Sequence, residues 1–116
     1  MSEEQSQELE EVKKKKDAKE IKYHIHPTHF LSYDDETNEW ELEINLPGIK
    51  KENVNLKFRE DAFQLVATRD NAEYHLEEYM PFKVKKSSLE AEYRDGLLYV
   101  KGKIKDPMED AVEIKL

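Results

Sequence analysis

Three histidines fall within six residues, His24, His26 and His29 in the stretch YHIHPTHF. An H-x-H pair on a strand points both imidazoles to the same face, and such pairs ligate zinc. His29 would close the site if Pro27 turns the chain back. The plainer reading makes all three surface histidines on an opening strand, because no carboxylate stands where it would orient them. The expectation is therefore no metal, with His24, His26 and His29 as the weak candidate set. His75 lies between Glu73 and Glu77 and could form a dyad with Glu77, but no nucleophile or oxyanion-hole motif accompanies it. The chain has no cysteine, no P-loop and no G-x-G-x-x-G, which removes thiol chemistry and any nucleotide-driven cycle. Neither a catalytic residue nor a cofactor is expected, and the protein does not read as an enzyme.

The elements that position these side chains follow from composition and period. The chain has 116 residues, of which 40% are charged, with a formal charge of −8. That length suits one domain with tails. The charge repels phosphate backbones, and the 13 Lys and Arg against 20 Asp and Glu after residue 22 leave no basic surface for nucleic acid. Residues 1–22 are charged, with only Leu9, Val12, Ala18 and Ile21 apolar after Met1. They read as a solvated arm, disordered or a frayed helix. The segment lacks the apolar middle of a signal peptide, and no apolar run approaches the roughly 20 residues a bilayer needs. A cytoplasmic protein without membrane contacts is expected.

From residue 29 the period is two. Trp40, Leu42, Ile44 and Leu46 alternate with Glu41, Glu43 and Asn45, which describes a strand with one buried face. Val54, Leu56 and Phe58 repeat the pattern, as do Phe63, Leu65 and Ala67. Tyr74, Leu76, Met80, Phe82 and Val84 line a longer segment, in which Pro81 marks an edge or a bulge. Leu89, Ala91 and Tyr93 come after Ser87-Ser88, which divides them from the preceding segment, and Leu98, Val100 and Ile104 follow the Asp95-Gly96 turn. Asp-Gly supplies the positive φ of a tight hairpin. Six to eight short strands with regular turns specify an all-β, antiparallel immunoglobulin-like sandwich. Its core spans 23–104, and 105–116 form a C-terminal extension. Leu97 and Tyr99 then fall on the outer face, where two apolar groups need cover.

Two stretches carry a resemblance. Ala91-Glu-Tyr-Arg-Asp-Gly96-Leu97-Leu98 resembles the A-x-x-x-n-G-V-L signature of the α-crystallin domain of small heat-shock proteins. Leu46-Pro47-Gly48-Ile49-Lys50-Lys51-Glu52-Asn53-Val54 is similar to that family's L-P-G segment. The resemblance covers roughly residues 27–104. It implies an ATP-independent chaperone that holds exposed apolar segments of unfolding clients. It further implies that Val112, Ile114 and Leu116 act as a tail docking in an apolar groove, in cis or on a second copy, whose walls are Val54, Leu56, Phe58, Leu89, Ala91 and Tyr93. Docking of this kind is β-augmentation. The plainer reading of the tail is a last strand returning to its own sheet. Leu97 and Tyr99 form a secondary patch.

The sequence departs from the family in its charged arm and in the segment Arg69 to Glu73, too short to exchange a strand. Those departures favour an alternative, a monomeric co-chaperone or adaptor with the same sandwich. Expected partners are unfolded proteins and, through the tail, a second copy.

Overall fold

The alternation in sequence becomes eight strands in the computed structural model, which describes residues 20–116. Residues 1–19, most of the arm expected over 1–22, lie outside the described part. The strands are β1 (Tyr23–Ile25), β2 (His29–Asp34), β3 (Glu39–Asn45), β4 (Val54–Phe58), β5 (Ala62–Arg69), β6 (Ala72–Tyr79), β7 (Val84–Arg94) and β8 (Leu97–Ile104). They form two four-stranded sheets, ordered β1-β6-β5-β4 and β2-β3-β8-β7. Trp40, Leu42 and Ile44 point from β3 into the space between the sheets, where Leu65, Leu76, Val84 and Val100 meet them. Burying a side chain of this size contributes about 1.5–3 kcal/mol, so a thin apolar supply suffices when every inward position is used.

The immunoglobulin-like sandwich expected from sequence is the observed fold, and the hairpin turn is as read. Asp95 and Gly96 have φ of 51° and 80° between the paired residues Arg94 and Leu97. The turn after β5 is equally tight. Arg69 pairs with Ala72, and Asp70 takes a φ of 52°.

Three local expectations change. The segment from Tyr74 to Val84 is not continuous: β6 ends at Tyr79, and residues 80–83, including Pro81, carry the chain from one sheet to the other. Proline has no N–H for a ladder, so the crossing falls where the strand cannot continue. Ser87-Ser88 does not divide two strands but is an irregularity inside β7, between Lys85 and Glu90. The Ser88 hydroxyl donates to the Lys85 carbonyl at 2.6 Å and accepts from the Lys103 amide at 2.8 Å. Side-chain bonds thus replace the ladder bonds the bulge removes. Finally, the pairing is not wholly antiparallel, because β1 runs parallel to β6. The Lys22 and Tyr23 amides both donate to the Asn71 carbonyl, at 2.8 and 3.1 Å, and fix where the chain joins the sheet.

Candidate functional site

The expected groove walls lie on two edges. β4 ends one sheet and β7 ends the other. Val54, Leu56 and Phe58 stand opposite Ala67, Leu65 and Phe63, all buried, so they share the inward face. On β7, Ala91 and Tyr93 stand opposite Val100 and Leu98, again buried inward residues. Val54, Leu56, Phe58, Leu89 and Tyr93 are half-buried against the core. Ala91 faces inward yet is exposed. On the edge strand β7 this small inward side chain is left uncovered.

Aromatic rings gather around Phe58. The Phe58 ring centroid lies 5.6 Å from Trp40 and 5.3 Å from Phe63, and Phe82 lies 6.2 Å from Trp40. The indole has room only because Gly102 stands opposite it, where a Cβ would sit 2.8 Å from a ring carbon. A cavity of about 800 Å³ opens beside Phe58, which alone of the six expected wall residues lines it; Lys57, Arg59, Phe63, Glu78 and Tyr79 line it too, and no residue of β7 does. Its residues come from three strands, so no sequence window contains it.

Tyr93, one of the expected walls, serves as a clamp. Its hydroxyl lies 2.7 Å from the Leu46 carbonyl oxygen and 2.6 Å from that of Ile49. The Leu46 amide donates to the Gly96 carbonyl at 2.7 Å, and Arg69 donates to the Pro47 carbonyl at 3.0 Å. A Cβ on Gly96 would meet the Pro47 Cα at 3.1 Å. The Leu46–Ile49 and Tyr93–Gly96 segments, more than forty residues apart in sequence, form one interlocked unit. The residues that carried the resemblance tie the segment after β3 to the β7–β8 hairpin.

Leu97 and Tyr99 are half-buried on the outer face of their sheet. Tyr99 stands between Glu43 and Glu92. A hydrogen bond to Glu41, desolvation and the negative charges of Glu41 and Glu43 push its phenol up to about 12. The secondary patch is therefore a tyrosine set among carboxylates, more polar than its sequence suggested.

The tail enters no strand, and Val112 and Ile114 are 83% and 80% exposed. Its linker is bent by an Asp106 carboxylate accepting from the Met108 amide at 2.8 Å. Glu109 lies 3.8 Å from Lys85, so the tail departs beside the first residues of β7.

The histidines are not gathered into a site. His24 sits on β1 opposite Glu73. His26 and His29 meet edge to face at 5.9 Å. His29 places Nδ1 3.2 Å from the Pro27 carbonyl and Nε2 3.5 Å from Glu78, bridging the two sheets. Among the described residues, no three His, Asp or Glu side chains converge as metal ligands. His75 lies 3.5 Å from Glu77, which also accepts from Gln64. No described helix is long and apolar enough to cross a membrane.

Comparison with known proteins places this geometry. Residues 4–101 match the PIH1 CS-like domain. No curated protein matches the sequence. Among solved structures, heat shock protein 16.0 of Schizosaccharomyces pombe superposes with a TM-score of 0.61 at 17% identity, covering 79% of this chain and 98% of that one. HSP18.5 of E. histolytica gives 0.61 at 18% identity, covering 82% and 100%. A mutant of hsp14.1 from Sulfolobus gives 0.62 at 17% identity, covering 100% and 99%. At these identities the likeness is one of fold, and the sandwich is that of the small heat-shock proteins.

Proposed function

The chain belongs to the PIH1 CS-like domain family, and from its small heat-shock sandwich and its expected groove, not from that family match, we propose that it is an ATP-independent holdase, a cytoplasmic protein that binds exposed apolar segments of unfolding clients. The groove between β4 and β7 supports this reading, above all the inward-facing but open position of Ala91. An extended segment laid along either edge takes main-chain bonds from the strand and covers the open position with alternate side chains. Binding the unfolded state withdraws it from aggregation, and no bond is made or broken. Val112, Ile114 and Leu116 have the same alternation, so the tail is the groove's internal competitor, in cis or from a second copy. Leu97 and Tyr99 offer a weaker secondary contact.

The test is suppression of client aggregation, followed by light scattering. It should proceed equally with and without nucleotide. Ala91→Trp fills this exposed position, and at least half of the suppression should be lost while the thermal midpoint holds. Full suppression by a well-folded Ala91→Trp protein would reject the groove.

A second reading, the adaptor, is favoured by one observation: β6 is joined to β5 by a two-residue turn and stays in its own sheet. An adaptor would remain monomeric, leave aggregation unchanged and not respond to removal of residues 112–116. Chromatography with light scattering on the full and shortened chains separates the two.

A further inference from the structure

The four sheet edges are unequally protected. An unpaired edge displays free N–H and C=O groups, and proteins blunt it with short strands, lysines, bulges or like charge. β1 has three residues. Beyond Tyr74, where its pairing with β1 stops, β6 carries Glu77 and Glu78, so two copies would face carboxylate with carboxylate. β7 carries Lys85, Lys86 and the Ser88 bulge, and β4 is five residues long with Lys57. β2 has none of these devices. Its six residues, HFLSYD, are charged only at the final Asp34 apart from His29 at the start, and every one pairs regularly with β3. Phe30 and Tyr33 are 65% and 53% exposed, on opposite faces of the strand.

The backbone phase fixes what that edge offers. The Asn45 amide donates to the Thr28 carbonyl at 3.0 Å. In an antiparallel ladder bonded positions alternate, so Phe30, Ser32 and Asp34 turn their peptide groups to β3. His29, Leu31 and Tyr33 turn theirs outward. The other side of β3 agrees, since the Leu46 amide bonds Gly96 and the Asn38 carbonyl bonds Ile104.

We infer that β2 is a self-association edge, pairing antiparallel with β2 of a second copy about a two-fold axis through Leu31. This register matches Leu31 with Leu31 and His29 with Tyr33 in both directions, so all three outward residues bond. Centring on Ser32 would leave His29 opposite residue 35, beyond the strand. The Leu31 register also sets the two Phe30 rings on the diagonal, within reach for aromatic side chains. Asp34 falls opposite Thr28, away from any acid. The acidic β3 strands stay three strand spacings apart, about 14 Å. That exceeds the roughly 8 Å screening length in physiological salt, so the charge of −8 does not forbid the contact. Two six-residue strands bury far less than the roughly 1,600 Å² of a standard interface. The dimer is therefore weak and forms at high concentration.

Residue-resolved amide exchange of the full chain, from micromolar to millimolar concentration, tests this. The His29, Leu31 and Tyr33 amides should slow by about tenfold or more as concentration rises, because each gains a partner. The Phe30 and Ser32 amides, already bonded to β3, should not change. Phe30→Glu, at an exposed outer position, should abolish the slowing while the Ser32 amide stays protected, which shows β2 still folded. Removing residues 112–116 should leave the slowing intact and so separates this edge from tail docking. Concentration-independent exchange, slowing on another edge, or slowing that disappears with the tail would overturn the inference.

Discussion

The Tyr93 hydroxyl lies near two carbonyl oxygens and has one proton to give. It donates to one of the two at a time, so the ring is tied to the Leu46–Ile49 loop either way. Tyr93→Phe keeps the apolar wall and removes the tie. It should lower stability by about 1–2 kcal/mol, read as a drop in the urea midpoint, with little effect on client binding. Tyr99 gives a pH signature. Its folded phenol titrates at about 12, against about 10 in an unfolded chain. Between those values the folded state holds the extra proton, so its contribution is complete below pH 10 and is lost as pH rises through that window. An absorbance titration should detect the late ionisation of Tyr99, and Glu41→Gln should bring it back toward its ordinary value.

At the scale of elements, alternation carried most of the information. EWELEIN is inward at Trp40, Leu42 and Ile44 without exception, because one register error would expose all three. Asp95-Gly96 was equally legible, since few residue pairs accept two positive φ values. The bulge at Ser88 was not. Its cause is a hydroxyl bonded to Lys103, fifteen residues away, and nothing in the local pattern separates that from a turn. Ser88→Ala removes both bonds; it should cost about 1–2 kcal/mol and raise exchange at the Lys103 amide. The groove was expected only from the family resemblance. Residue types named its walls, but Ala91 became informative once its neighbours were seen to leave it uncovered. The arm and the histidine set were read from composition and spacing. Spacing alone could not reveal that His29 spends its nitrogens on Pro27 and Glu78.

The whole molecule carries a net charge of −8. Under the proposed holdase function, long-range attraction favours basic clients in the encounter, by a rate effect that salt screens. Aggregation of a basic client should be suppressed faster than that of an acidic one at low ionic strength. The difference should shrink as salt is added, whereas an outcome independent of salt would assign capture to apolar contact alone. The packing of Trp40 has a further consequence. It is the only tryptophan in the chain, it is buried, and its ring lies against Phe58, which lines the cavity. A guest that shifts Phe58 must alter the surroundings of a single emitter. Filling of the cavity that Phe58 lines should therefore be followed by tryptophan intensity or emission maximum, in real time and without an attached dye.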